Sequence, residues 1–163
     1  MSRIQLALNV DDLDTSIAFY SKLFGTDPAK VRDGYANFAV AEPPLKLVLI
    51  ENPGHGGSVN HLGVEVPDAD TVDAEQTRLA GVGLASVDPS TGSGQRERDT
   101  VCCYARQDKF WVQGTPNGEH WEIYTVLADS ATPNGEAEGQ ECCTSALVQA
   151  SPAQEQASAV CCG

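Results

Sequence analysis

The chain has 163 residues and a formal net charge of −13, and this length allows one domain with a hydrophobic core or two small modules that share one. Such an acidic surface repels nucleic acid and anionic lipid, so neither is expected as a partner. The sequence shows no secretory signal and no run of about 20 apolar residues that could span a bilayer. We therefore expect a cytoplasmic protein.

The two halves of the chain resemble each other. When Gln5 is aligned with His61, residues 5–15 lie on residues 61–71, which indicates an internal repeat. The identities fall at positions typical of strands, helix caps and helix ends. They are Leu6/Leu62, Val10/Val66, Asp12/Asp68, Asp14/Asp70, Thr15/Thr71, Leu23/Leu79 and Gly25/Gly81.

Each half opens with a strand and continues with a helix. Residues 4–10 and 61–66 have the alternating pattern of strands, and in each half an aspartate, Asp12 or Asp68, can cap the helix that follows. In the first helix the apolar residues recur every three or four positions, and Gly25 follows as a C-cap. The apolar face consists of Leu13, Ile17, Tyr20 and Phe24.

Short strands are predicted after each helix. Residues 35–40 and 46–50 complete the first half, and residues 100–106, 109–113 and 120–126 complete the second. Each half is thus a strand and a helix followed by antiparallel strands. The predicted fold class is α+β, with two paired βαβββ modules.

These modules define the predicted domain organisation. One domain is expected over residues 1–128, with modules at about 3–51 and 60–127. Residues 89–95 contain the glycines and serine of a mobile loop. Residues 129–163 are rich in Ala, Ser, Gln, Glu, Pro and Gly, and they include four of the six cysteines. We predict that they form a disordered acidic tail.

Gln5, His61 and Glu122 are the candidate metal ligands. Gln5 and His61 are equivalent in the repeat, so a pseudo-symmetric pair would direct both into one cavity, and Glu122 alternates with Ile123 in the last strand and can face the same way. An amide oxygen, an imidazole and a carboxylate suit Fe(II), Mn(II), Ni(II) or Zn(II) and leave positions open, as catalysis requires. His120 is an alternative ligand. Ordinary buried polar residues are the alternative interpretation.

All six cysteines occur as adjacent pairs in the sequence. Neighbouring Cα atoms are about 3.8 Å apart, less than an unstrained disulfide needs, so dithiols are expected in a reducing cytoplasm. A dithiol chelates soft ions, and one pair satisfies the two remaining bonds of a trivalent arsenic with one carbon substituent. Alternatively, the first pair consists of small strand residues, although neighbours in a strand face opposite sides. The pairs are Cys102-Cys103, Cys142-Cys143 and Cys161-Cys162.

The order Gln5, Asp12-Leu13, His61-Leu-Gly-Val and Glu122-Ile-Tyr resembles the vicinal oxygen chelate superfamily, which includes glyoxalase I, extradiol dioxygenases and bleomycin-binding proteins. The likeness covers residues 3–127. It implies a cupped mixed sheet around one metal, held by the three ligands named above within a single chain. A glyoxalase I site would need a further carboxylate in residues 46–50, and that segment has none.

Four further segments resemble one branch of the superfamily, the iron-dependent carbon-arsenic lyases, also called cadmium-induced proteins. The resemblance implies an Fe(II)- and dioxygen-dependent enzyme that cleaves trivalent organoarsenicals such as methylarsenite to arsenite, with Cys102 and Cys103 binding the arsenic. Two alternatives stay open: a non-enzymatic thiol protein that binds Cd(II) or arsenite, and another metal-dependent dioxygenase or lyase of the superfamily. The segments are Tyr35-Ala-Asn-Phe-Ala, Asn60-His-Leu-Gly-Val-Glu-Val, Cys102-Cys103-Tyr-Ala-Arg-Gln-Asp-Lys and Trp121-Glu-Ile-Tyr-Thr-Val-Leu.

Overall fold

The computed structural model describes residues 2–84, 96–112 and 114–133. The predicted 89–95 loop and the cysteine pairs at 142–143 and 161–162 lie outside these residues. The described part contains two helices and eight strands in chain order. They are β1 Arg3–Val10, α1 Leu13–Phe24, β2 Lys30–Arg32, β3 Tyr35–Val40, β4 Leu45–Glu51, β5 Val59–Glu65, α2 Ala69–Gly81, β6 Glu97–Cys102, β7 Ala105–Val112 and β8 Trp121–Asp129.

The two helices begin in the same way, as the repeat predicts. The Asp12 side chain accepts a hydrogen bond from the Thr15 backbone N–H at 2.7 Å, and Asp68 accepts one from Thr71 at 2.8 Å. Each bond satisfies a donor that the first turn of a helix leaves without a partner. Gly25 ends α1 in the left-handed conformation, with φ of 62°, which confirms the predicted C-cap.

All eight strands form one mixed sheet, in the order β2-β3-β4-β1-β5-β8-β7-β6. The order within the first module, β2-β3-β4-β1, is repeated in reverse by β5-β8-β7-β6 in the second. In each module the opening strand runs parallel to the last strand, β1 with β4 and β5 with β8. The modules join through the antiparallel pair β1 and β5. The predicted pair of βαβββ modules is confirmed.

Each helix packs on the same side of the sheet as the apolar residues of its own module. In β1, Leu6, Leu8 and Val10 pack in the α1 core, so the alternate residues Gln5 and Ala7 face the other side. The first core consists of Val10, Leu13, Ala36, Phe38, Val40, Leu47 and Leu49. The second consists of Val66, Val72, Leu79, Phe110 and Ile123. The opposite face of the sheet, which neither helix covers, is where a functional site can form.

The strand prediction for residues 100–106 was wrong. β6 ends at Cys102, and the chain reverses at Cys103 and Tyr104, whose φ angles are 54° and 61°. A two-residue hairpin turn with two positive φ angles usually contains Gly or Asn. Because neither is present, the sequence carried no signal for this turn. After it, β7 runs without interruption from Ala105 to Val112.

Two further differences concern the edges of the sheet. The sequence analysis missed β2, which has only three residues, Lys30–Arg32, two of them charged; such short charged strands are typical of sheet edges. β8 extends to Asp129, which pairs with Ala105, so the ordered sheet reaches the first residue assigned to the tail. No helix among the described residues is long and apolar enough to cross a membrane.

Candidate metal centre

The structure brings Gln5, His61 and Glu122 together at the centre of the sheet, on β1, β5 and β8. All three are buried. The approach depends on Gly63, which pairs with Gln5 on one side and with Glu122 on the other. A Cβ at Gly63 would lie 3.1 Å from Glu122 Cγ and 3.2 Å from a ring carbon of Tyr124. The glycine therefore provides the space in which the ligands from the two outer strands meet.

The terminal side-chain atoms of the three residues form a small triangle. Gln5 Nε2 lies 2.9 Å from His61 Nε2 and 2.8 Å from Glu122 Oε1, and the third side, from His61 Nε2 to Glu122 Oε1, measures 3.4 Å. Two ligands placed at right angles, each about 2.1 Å from a metal, lie about 3.0 Å apart. The triangle therefore has the size of one face of an octahedral metal site, which leaves the opposite positions for water or substrate.

The amide of Gln5 is an essential member of this set. In the described part of the chain no group of three or more His, Cys, Asp or Glu side chains could hold a metal. A metal at this point would need Gln5 Oε1, since an amide N–H does not coordinate. Rotating the amide by half a turn exchanges its two terminal atoms, so the residues present fit a divalent metal once Gln5 presents its oxygen.

Neighbouring amides fix the tautomer of His61. Its Nδ1 lies 2.7 Å from Asn60 Oδ1, and the Asn60 amide donates to Asn9 Oδ1 at 3.0 Å. Asn9 in turn donates to Ser58 Oγ. Because Asn60 directs its oxygen at the ring, Nδ1 carries the proton and Nε2 keeps its lone pair. A metal-binding histidine needs this tautomer, and such a partner orients the ring.

Glu122 carries its negative charge in the protein interior. Burial alone would raise its pKa, but the charge of Lys109, 3.6 Å from Oε2, and that of Lys46 hold the pKa well below its usual range. Lys109 is itself 1% exposed and stacks over Trp111. A carboxylate that stays ionised at every physiological pH is always available to a cation.

A cavity of about 220 Å³ opens beside the triangle. Its wall contains the three candidate ligands and both Cys102 and Cys103. The two cysteine side chains therefore line the same cavity as the candidate metal ligands. The cavity wall also carries the cations Arg3, Lys30 and Lys46, and the carboxylate of Glu65.

The hairpin turn places the two sulfurs side by side. Cys102 closes β6 and is 2% exposed, and the left-handed backbone at Cys103 directs its side chain to the same side, with the sulfurs 3.4 Å apart. The expectation that neighbouring residues face opposite sides holds for a regular strand and does not apply here. The Gln107 amide, which donates to Cys102 O at 2.9 Å, secures the hairpin.

His120, the alternative ligand, lies elsewhere. It lines a separate surface depression with His55, Asn60 and Glu119, and it is absent from the wall of the central cavity. Burial lowers the pKa of His120, so its ring is neutral at physiological pH. The turn before β8 thus directs it away from the Glu122 side chain.

Four residues around the triangle were missed by the sequence analysis: Lys46, Glu65, Lys109 and Tyr124. Glu65 accepts from Arg3 at 3.0 Å and lies 3.4 Å from Lys46. Burial raises the Glu65 pKa, but the charge of Lys46 and the hydrogen bonds from Arg3 and Tyr124 outweigh it and lower the pKa. For Tyr124 the sequence did contain a signal. It lies two residues after Glu122 in the same strand, so its side chain is on the same face of the sheet.

An eight-stranded curled mixed sheet with two helices on one face and a buried amide, imidazole and carboxylate on the other defines a class of protein. The chain belongs to the Glyoxalase/Bleomycin resistance protein/Dioxygenase superfamily, whose family model matches residues 3–123. This confirms the vicinal oxygen chelate fold. Among solved structures, the Mn(II)-bound glyoxalase from Novosphingobium aromaticivorans shares the fold, with a TM-score of 0.53 and 18% identity over 81% of this chain and 42% of that one.

Two curated relatives are much more similar. The cadmium-induced protein CadI of Mycobacterium tuberculosis (strain ATCC 25618 / H37Rv) is 61% identical over 132 residues, which are 81% of each chain. The trivalent organoarsenical cleaving enzyme of Thermomonospora curvata is 57% identical over 145 residues, which are 88% of this chain and 89% of the relative. The resemblance to the carbon-arsenic lyase branch is confirmed.

Proposed function

We propose that this chain is an Fe(II)- and dioxygen-dependent carbon-arsenic lyase that converts trivalent organoarsenicals, such as methylarsenite, to arsenite in the cytoplasm. One observation carries the proposal: the side chains of Cys102 and Cys103 and the three candidate metal ligands line the same cavity. The relative named as a trivalent organoarsenical cleaving enzyme, at 57% identity, supports it. Because one chain contributes every residue named, a monomer is sufficient for the reaction.

Cys102 and Cys103, in their reduced form, would bind the substrate. Each thiol replaces one hydroxyl of methylarsenite, and its proton leaves with that hydroxyl as water, so two As–S bonds form and two waters are released. The sulfurs are 3.4 Å apart, and a single bridging atom fits between them. The remaining As–C bond then lies inside the cavity.

Gln5, His61 and Glu122 would hold Fe(II), which supplies the redox chemistry that dioxygen requires. For methylarsenite the balance is one dioxygen consumed per arsenite and formaldehyde formed, with one oxygen atom on each product. The protein contributes position and enclosure: the thiols fix arsenic, and the triad holds the metal in the same cavity, so both reactants meet at high effective concentration. Burial raises the pKa of Tyr35 in the cavity wall to about 12, so its phenol stays neutral.

The alternative is a thiol protein that sequesters Cd(II) or arsenite without chemistry. The name of the cadmium-induced relative, at 61% identity, is the observation in its favour. Sequestration requires the thiols but gives no reason to bury an ionised glutamate, an oriented histidine and a glutamine within 3.4 Å of one another. Removing such polar groups from water costs free energy, and a role as metal ligands accounts for their burial at one point. We therefore favour the enzyme.

The test is anaerobic reconstitution with Fe(II) under reducing conditions, followed by addition of methylarsenite and air. We expect arsenite to accumulate with an equal amount of dioxygen consumed. Cys102→Ser should abolish arsenite formation with normal iron content, whereas Glu122→Gln should abolish it with little iron bound and methylarsenite still held. If methylarsenite is bound by the thiols and arsenite never appears, the protein is a binding protein instead.

The number of exchangeable bonds on arsenic provides a second prediction. In the protein truncated after Pro133, whose only cysteines are Cys102 and Cys103, methylarsenite should bind at one equivalent, because it offers two exchangeable positions to two thiols. Trimethylarsine has none, and pentavalent methylarsenate must first be reduced, so neither should bind. Titration monitored by mass spectrometry or by tryptophan fluorescence would measure the stoichiometry. Equal binding of all three compounds would contradict a role for the thiol pair.

A further inference from the structure

The Tyr124 hydroxyl is placed between two oxygen atoms that compete for its single proton. It lies 2.6 Å from Gln5 Oε1 and 2.9 Å from Glu65 Oε2, and the side chain is completely buried. A phenol has one proton and donates one hydrogen bond. Whichever oxygen receives it, the other contact brings two oxygen lone pairs together. One of the two contacts of the Tyr124 hydroxyl is therefore unfavourable.

Rotating the Gln5 amide by half a turn removes this conflict. Its nitrogen then donates to the Tyr124 oxygen, and Tyr124 donates to Glu65, so both contacts become hydrogen bonds. In the structure, Gln5 Nε2 lies 2.9 Å from His61 Nε2 and 2.8 Å from Glu122 Oε1. After the rotation, Gln5 Oε1 takes the place of this nitrogen. An oxygen there faces a lone pair and a carboxylate, and this is favourable only with a cation among them.

We propose that Tyr124, anchored by Glu65, is a positioning residue that turns the oxygen of Gln5 toward the metal. The inference rests on the metal centre of the proposed function and deepens it. The anchor is itself rigid, because Glu65 accepts two hydrogen bonds from Arg3 and lies 3.4 Å from Lys46. Tyr124 thus favours, before any metal arrives, the amide orientation that a metal needs, and it raises metal affinity without touching the metal.

The direct test is the affinity of Tyr124→Phe for Mn(II), measured by the electron paramagnetic resonance signal of free Mn(II) with neither arsenical nor dioxygen present. We expect binding about tenfold weaker than in the unaltered protein, the usual effect of removing an orienting partner. Tyr35→Phe is the matched control. Tyr35 lines the same cavity, but its hydroxyl accepts from Asn37, so its loss should leave Mn(II) affinity unchanged.

A double-mutant cycle separates orientation from packing. Gln5→Glu replaces the amide by a carboxylate, which presents an oxygen in either orientation and needs no positioning. In that background Tyr124→Phe should change Mn(II) affinity less than about twofold. An equal loss in both backgrounds, or no loss in the Gln5 background, would overturn the proposal.

The outcome is independent of the lyase assignment. Mn(II) binding is measured without turnover, so a protein that binds Mn(II) through Gln5 and Tyr124 but releases no arsenite would support this inference and contradict the proposed function. A protein in which Gln5→Ala leaves Mn(II) affinity unchanged would overturn the inference, because the amide would then not be a ligand.

Discussion

At the residue scale, the pair of Lys109 and Glu122 is the most unusual feature of the centre. Both side chains are almost fully buried, at 1% and 3% exposure, and their charged atoms are 3.6 Å apart. Removing water from two ions is costly, and their mutual attraction compensates only when both remain. Lys109 therefore allows Glu122 to remain ionised inside the protein. The Lys109 ammonium lies beside Oε2 of Glu122, whereas Oε1 faces Gln5 and His61.

We predict that Lys109→Met destabilises the metal-free protein by about 3 kcal/mol at pH 7, as expected when one partner of a buried pair is removed. The measurement is urea unfolding with a chelator present. Lys22→Met, which replaces an exposed lysine at the end of α1, is the control and should change stability little. An equal effect of both substitutions would mean that the buried pair contributes nothing specific.

The same variant has a defined pH dependence. The folded-state pKa of Glu122 is lowered from 4.5 to about 2, so in the unaltered protein this group contributes stability above pH about 4.5 that is lost as the pH falls toward 2. Without Lys109, burial raises the pKa, and protonation then relieves the unpaired charge. The difference in stability between the two proteins should shrink between pH 7 and pH 4. A constant difference would show that Lys109 acts through packing alone.

At the scale of elements, the hairpin between β6 and β7 determines the geometry of the thiols. Its two turn residues, Cys103 and Tyr104, have positive φ angles, which cost non-glycine residues roughly 1–2 kcal/mol each. Tyr104 compensates by packing 5.5 Å from Tyr35 and by donating to Asp33 O at 3.1 Å. The turn keeps this backbone because neighbouring contacts hold it in place.

We predict that Cys103→Gly is more stable than Cys103→Ser by roughly 0.5–1 kcal/mol, since glycine adopts positive φ without strain but loses more chain entropy on folding. In the protein truncated after Pro133, which lacks the other two cysteine pairs, neither variant should bind methylarsenite. Thermal unfolding under reducing conditions would compare them. Greater stability of the serine variant would show that the left-handed backbone at this position is not strained.

At the scale of the whole molecule, the end of the sheet supports the thiol turn. Asp129 pairs with Ala105 in the sheet and forms a salt bridge with Lys30, and the Ser130 N–H donates to Tyr104 O at 2.9 Å. These contacts join the first edge strand, the hairpin and the end of β8. The ordered domain therefore needs residues beyond Leu127.

We predict that truncation after Pro133 leaves kcat for methylarsenite nearly unchanged, because the triad and Cys102-Cys103 all precede it. Truncation after Leu127 should lower kcat, since it removes Asp129 and Ser130 and loosens the turn. Measuring kcat and methylarsenite affinity of both proteins would separate the contributions. A truncation at Pro133 that is inactive under reducing conditions would place Cys142-Cys143 or Cys161-Cys162 in the reaction.

The sequence by itself determined the repeated modules, and it predicted the three candidate metal ligands and the Cys102-Cys103 pair. Apolar periodicity and capping aspartates are local properties, so both helices and most strands follow from residues close together in the chain. Gln5 and His61 were found because a repeat carries equivalent positions to equivalent places. Glu122 was found because alternation in a strand defines which side chains face the cavity.

Only the tertiary structure decided how these residues work together. The turn at Cys103 depends on packing between Tyr104 and Tyr35, which are far apart in the chain. No local sequence pattern therefore predicts the turn. Lys109, which is buried, and Glu65, which is partly buried, look like ordinary surface residues in the sequence, and only the pairing of strands across the sheet gives their charges partners. The opposing demands on the Gln5 amide arise in the same way, because they come from His61, Glu122 and Tyr124, three residues on two other strands that the fold brings within hydrogen-bond distance of it.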